Sequence, residues 1–204
     1  MLHLPSPILN EAELAAATSQ GLPATTLSTL VAVAAGPAGL QQAVTHLQSA
    51  AEAAVREGKT ILVLSDRGVT ASHTTIPALL AVGAVHHHLL RLGLRLQTSI
   101  VVDTAQCWST NHLACLIGFG ASAVCPWLTW ETSRHWLDQP KVRKAIELGK
   151  LPALTVDQVQ ANVRVALENG LRKILSKIGI SLLASYHGAQ IFEAIGIGAD
   201  LIDL

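Results

Sequence analysis

The sequence predicts an α/β domain, with a mainly parallel sheet, flanking helices and a helix-rich C-terminal third. Three observations carry this. Two short apolar runs, "ILVLSD" at 61–66 and "IVVD" at 100–103, each end on an acid, as strands buried on both faces do. Segments of helical period separate these runs. Beyond residue 137 the alternation stops and helical periodicity takes over.

The elements follow in order. "LPSPILNEAEL" opens with two prolines, which predict an extended arm. Asn10 then caps a short helix that carries Glu11 and Glu13 in its first turn. A strand rich in Thr and Val is expected over 24–34, ended by Gly36 and Pro37. Leu40, Val44, Leu47, Ala51 and Val55 recur at helical spacing, and Gly58 stands at the C-cap. The second strand runs through "KTILVLSDRG", and the next helix is expected over 76–93.

"LQTSIVVDTA" is the third strand, and "CWSTNHLACLIGFG" is a helix closing on glycines. "ASAVCPWLTW" gives a fourth short strand that leads past Pro126 into "WETSRHWL". A short basic helix follows in "QPKVRKAIELGKLP". Residues 155–179 read as one long helix, or two with a bend at Gly170, and Thr155 is the N-cap. "ISLLASY" is expected as a last strand and "HGAQIFEAIGIG" as a final short helix. No repeat, linker or low-complexity segment interrupts the chain.

Composition narrows the function. Half of the 204 residues are hydrophobic and only 14% are charged, so part of the surface is expected to lie against other protein. Formal net charge is zero, which leaves no electrostatic footprint for nucleic acid or an anionic membrane. No uncharged apolar run reaches the length of a membrane span, and the N-terminus lacks the pattern of a secretory signal. Cys107, Cys115 and Cys125 form no CxxC pair, and an odd number suits a reducing compartment.

Chemistry-bearing groups are few. Asp66, Arg67 and Asp103 stand at the carboxyl ends of two strands, where α/β sheets collect functional groups. They could form an acid pair with an anion clamp; the plainer alternative has Asp66 and Arg67 capping the turn and pairing with neighbours. His86, His87 and His88 are consecutive on a helix and fan around its axis, whereas chelation from one helix needs a spacing of three or four. They are therefore expected as a mixture of packed and exposed side chains.

Gly118 and Gly120 follow a helix, the wrong context for a dinucleotide site. Trp127, Trp130 and Trp136 read as core or interdomain packing rather than a base-stacking platform. Lys173, Ser176 and Lys177 would contact an anion or a neighbouring domain, or simply form a solvated face.

Four long segments, in order, carry a resemblance. "ILVLSDRGV", "IPALLAVGAVHHHLLRLGLRLQTSIVVDTAQ", "HLACLIGFGASAVCPWL" and "KILSKIGISLLASYHGAQIFEAIGIGADLIDL" resemble the central domain of glutamate synthase, over roughly residues 2–204. The ferredoxin-dependent type of cyanobacteria and plastids is the nearer likeness. The resemblance implies a single connecting domain, 1–204, incomplete at one or both ends of the family's longer chain. It implies a parent oxidoreductase that makes L-glutamate from glutamine and 2-oxoglutarate in ammonia assimilation, with FMN and a 3Fe-4S cluster in other domains.

The family's N-terminal nucleophilic cysteine has no counterpart, since the chain begins Met1-Leu2, and the C-x7-C-x9-C spacing does not match the cluster motif. No catalytic, cofactor-binding or metal residue of the family maps onto this sequence. The expected role is a scaffold between the glutaminase and FMN-barrel domains. The resemblance makes ferredoxin a possible partner of the parent and implies no nucleic acid or membrane partner, with a location in the cytoplasm, or the plastid stroma of a photosynthetic eukaryote. The alternatives are a free-standing enzyme or regulatory module at Asp66, Arg67 and Asp103. The enzyme form needs His86 to converge on the same rim.

Overall fold

The computed structural model describes residues 4–19, 21–189, 191 and 195–202. Strands β1 (Ala24–Ser28), β3 (Ile61–Ser65), β5 (Ser99–Asp103) and β6 (Ala123–Cys125) form a parallel sheet in that order. Each crossover returns to the next position. Helices α2 (Gly36–Arg56), α3 (Ala78–Arg91) and α4 (Thr110–Gly118) make these crossovers and pack side by side. Leu64 and Val102 meet Ala78 and Ala81 of α3 on that face.

The N-terminal arm closes one edge of the sheet. Ile8 bridges Val124 in parallel, with Leu9 N–H donating to the Val124 carbonyl and Val124 N–H to the Pro7 carbonyl. The chain then turns into α1 (Glu11–Ser19), which lies on the opposite face against Thr26, Ser28, Val63 and Ser65. Asn10 caps α1 reciprocally. Its Oδ1 accepts from Glu13 N–H and its own N–H donates to Glu13 Oε2, both at 2.8 Å.

The strand expected over 24–34 is two strands. Thr29 N–H donates to the Ser65 carbonyl and ends the parallel pairing. β2 (Leu30–Ala32) then turns away to pair antiparallel with β4 (His73–Thr75), which the sequence pattern did not reveal. Exposed His73 and Thr74 carry no apolar alternation to betray a strand.

The C-terminal third is helical as expected: α5 (Trp127–Trp136), α6 (Pro140–Glu147) and α7 (Val156–Lys177). Thr155 and Gln158 form a complete capping box, and α7 runs unbroken through Gly170 across α4 and α5. The glycine serves contact rather than a bend, because a Cβ there would stand 2.5 Å from Thr110 Oγ1.

"ISLLASY" is not a strand. It contains one 3-10 turn, Leu183–Ser185. Ile180, Leu183 and Tyr186 turn inward at intervals of three, which is the 3-10 period and not the alternation of a strand. The helix expected over 187–198 falls partly on residues outside the described set; its described residues are turn and irregular, and the last described helix, α8 (Ala199–Ile202), begins only after them.

Candidate functional site at the carboxyl end of the sheet

Strand register builds the site. The last residues of the four strands, Ser28, Ser65, Asp103 and Cys125, stand in one row across the sheet. Asp103 is the charged member and its side chain is only 5% exposed. Ser65 Oγ donates to Asp103 Oδ2 at 2.9 Å. Arg67, two residues beyond β3, folds back so that Nε donates to Oδ2 at 2.7 Å and Nη2 to Oδ1 at 3.0 Å. This two-bonded geometry fixes the carboxylate plane.

The hydrogen bonds that Arg67 donates to Asp103 raise its pKa above the ordinary value. Burial, followed by the Asp103 charge, pushes the Cys125 thiol up, so it stays protonated. Burial alone pushes Cys107 up to about 12.

Asp66 does not join this pair. It receives Thr104 Oγ1 at 2.6 Å, Ala105 N–H at 2.9 Å and Trp127 Nε1 at 2.7 Å. It therefore ties the loop after β3 to the loop after β5 and to the first turn of α5. Trp127 also lies under Arg67, whose guanidinium carbon is 5.1 Å from the ring centroid. One indole thus steadies both halves of the rim. From the sequence Trp127 is expected as packing; its position just after β6, level with the other strand ends, is the signal of a place at the rim. Trp130 is core, fully buried, with its Nε1 on the Leu9 carbonyl.

A cleft of about 540 Å³ lies between α1 and this rim, bordered by Glu11, Thr18, Thr26, Ser28, Arg67 and Asp103. A second, more apolar groove of about 700 Å³ runs between α5 and α7, past Trp108, Leu128 and Trp136.

The histidines lie elsewhere. His86 Nδ1 accepts from Arg95 Nε at 2.9 Å. Arg95 also donates to the carbonyls of Thr98 and Gly120, the residues that lead into β5 and β6. His86 is therefore at the amino end of the strands, opposite Asp103, and cannot complete the rim. His88 pairs with Glu52 of α2 at 3.0 Å, and His87 meets the His86 ring edge-on. Among the described residues no group of three His, Cys, Asp or Glu is placed to hold a metal ion. Lys173, Ser176 and Lys177 are exposed on α7.

Residues 1–198 match the family described as "Glutamate synthase central domain". The chain belongs to this family. Ferredoxin-dependent glutamate synthases from the red alga Pyropia yezoensis, the cyanobacterium Synechocystis and spinach chloroplasts are 50%, 52% and 52% identical to it. The alignments cover 98–100% of this chain but 13% of each relative, so the central domain spans about an eighth of their length.

A flavocytochrome b2 variant with sulfite bound superposes with a TM-score of 0.50 at 13% identity, over 96% of this chain and 44% of that one. That likeness concerns the fold alone. Among the described residues no helix of the central domain is long and apolar enough to cross a membrane.

Proposed function

We propose that this central domain is the connecting scaffold of a ferredoxin-dependent glutamate synthase. It would hold a glutaminase domain and an FMN-barrel domain in register and wall part of the path that ammonia takes between them. One observation carries the proposal: about 50% identity to ferredoxin-dependent glutamate synthases runs along the whole chain while covering 13% of their length. A sealed passage keeps released ammonia at high effective concentration beside its acceptor.

The site chemistry supports a scaffold without a catalytic centre. Arg67 and Asp103 neutralise each other, and Asp66 is saturated by donors from its own fold. The residues present do not fit the cofactors expected for the parent. Cys107 and Cys125 are buried thiols held protonated, and no third ligand joins them among the described residues. The cation at the rim, Arg67, is already committed to a carboxylate rather than free for a flavin phosphate. FMN and a 3Fe-4S cluster are accordingly assigned to other domains, and ferredoxin to the parent. Relatives named as chloroplastic favour the plastid stroma, and the Synechocystis relative favours the cytoplasm.

Co-expression with the glutaminase and FMN-barrel domains of a ferredoxin-dependent relative tests the proposal. Glutamine-dependent glutamate formation should need all three parts. Hydrolysis of glutamine by residues 1–204 alone, or full activity without them, would refute the scaffold role. The reading frame beyond codon 204 decides whether the association is within one chain or between chains.

A further inference from the structure

The amino end of the sheet holds a cluster that the scaffold role does not use. Residues 186–189 cross it as a strap. Tyr186 is fully buried, and Gly188 N–H donates to the Gly118 carbonyl at 2.7 Å. The Gly188 backbone presses against His86, so that a Cβ there would stand 3.3 Å from Nε2. On the other side of the ring, Gly120 is so close that a Cβ would stand 2.2 Å from Nδ1. The imidazole is therefore clasped between the turn after α4 and the strap.

We propose that His86 is an acid-sensitive latch, which holds the strap 186–189 on the domain while the ring is neutral and releases it when the ring takes a second proton.

The hydrogen-bond pattern supplies the mechanism. Arg95 Nε can only donate, so Nδ1 of His86 must accept and the ring proton sits on Nε2. Protonation turns Nδ1 into a donor facing a donor. Arg95 is pinned by carbonyls at 2.7 Å on both sides, Thr98 and Gly120, and cannot easily withdraw. The strap meets the ring through the Gly188 backbone, which bonds the Gly118 carbonyl, and is the side of the clasp that yields.

The charges around His86 push the same way. From α3 comes His87, 5.2 Å away centroid to centroid; from the 3-10 turn Arg95–Gln97 comes Arg95; from the strap comes His187, whose buried Nε2 has no hydrogen-bond partner among the described residues. Cys115 of α4 acts on Tyr186, and Glu52 of α2 is engaged by His88 and Arg56. Among the described residues, none of the groups acting on His86 is a carboxylate. Burial first, then Arg95, His87 and His187, hold the His86 pKa down at about 4, and burial lowers His187 too.

Tyr186 is the one tyrosine in the chain, which makes the test direct. Residues 1–204 carrying 3-fluorotyrosine should give a single buried 19F resonance at pH 7.5. On acidification it should move to the position of solvent-exposed fluorotyrosine, with a midpoint between pH 4 and 6.5, while far-UV circular dichroism stays native. His86→Asn keeps an acceptor for Arg95 without the titration, and should abolish the movement. Imidazole 15N shifts of the unaltered chain give a second readout that needs no variant: His86 should titrate with the same midpoint as the 19F signal. An unmoved resonance down to pH 4, an equal movement in His86→Asn, separate midpoints, or loss of the strap only together with all secondary structure would each overturn the latch.

Discussion

Arg67 and Asp103 lie 36 residues apart and meet through two parallel hydrogen bonds at the carboxyl end of the sheet. The aspartate is buried and the arginine half exposed, with side-chain exposures of 5% and 44%. This asymmetry decides what each substitution does. Arg67→Ala leaves a buried carboxylate with the Ser65 hydroxyl and the Cys125 thiol as its side-chain partners, and should destabilise the fold by about 2–3 kcal/mol. The paired replacement Arg67→Met with Asp103→Leu should recover most of this. Urea midpoints measure both; a cost below about 0.5 kcal/mol for Arg67→Ala would show the pair to be a solvated surface contact.

Trp127 couples the two acidic positions. Trp127→Phe keeps a ring under Arg67 but removes the Nε1 bond to Asp66. A hydrogen bond to a charged acceptor predicts a loss of about 1.5–2 kcal/mol, and Trp127→Ala a larger one. Equal losses in the two variants would show that the indole N–H contributes nothing.

Gly170 offers a test of contact against propensity. In a helix interior Gly→Ala normally stabilises by about 1 kcal/mol. Here the added methyl meets Thr110 at 2.5–3.0 Å, so Gly170→Ala should instead destabilise. Adding Thr110→Ala removes the two nearest atoms and leaves the Cβ at 3.0 Å, so it should recover most of the loss, and the thermal midpoints of the cycle give the coupling. Stabilisation by Gly170→Ala alone would show that α4 and α7 adjust freely.

Acid should weaken the fold through His86. Its folded pKa of about 4 lies below the unfolded value of 6.5, so the unfolded chain binds more protons between these limits. Stability is therefore complete above pH 6.5 and falls as pH drops toward 4. The full linkage amounts to about 3 kcal/mol, and release of the strap caps it at a lower figure. His86→Asn should flatten the profile in that window when urea midpoints are taken at half-unit pH steps. An unchanged slope would place the acid sensitivity in another group.

Thr155 and Gln158 close α7 at its start, with Thr155 Oγ1 accepting from Gln158 N–H and Gln158 Oε1 accepting from Thr155 N–H. Thr155→Ala should cost about 1 kcal/mol and Thr155→Asp should be nearly neutral. A loss of the same size in both variants would point to packing of the threonine methyl rather than to the cap.

Local chemistry was legible in the residues themselves. Asn10 and Thr155 announce helix starts because a short polar side chain followed by Glu or Gln at the third position satisfies free backbone N–H groups. "ILVLS" and "SIVVD" announce central strands because only a strand covered on both faces is apolar throughout. "ISLLASY" misled for the same reason that these succeeded. A short apolar run fits strand or 3-10 turn, and its period of three becomes visible only once burial is known. The boundary at Thr29 was hidden because it depends on Ser65, a residue 36 positions away.

The sequence by itself determined which segments alternate, where helices begin, that the acids stand at strand ends, and to which family the chain belongs. All of these rest on neighbours within about one turn or on extended similarity. Only the tertiary structure decided that Asp103 takes Arg67 while Asp66 takes Thr104 and Trp127. It alone sent His86 to the opposite end of the sheet and made Gly170 a point of contact. Strand register and helix crossing bring together residues far apart in the chain, and one residue's shift in register would turn Asp103 to the other face of the sheet.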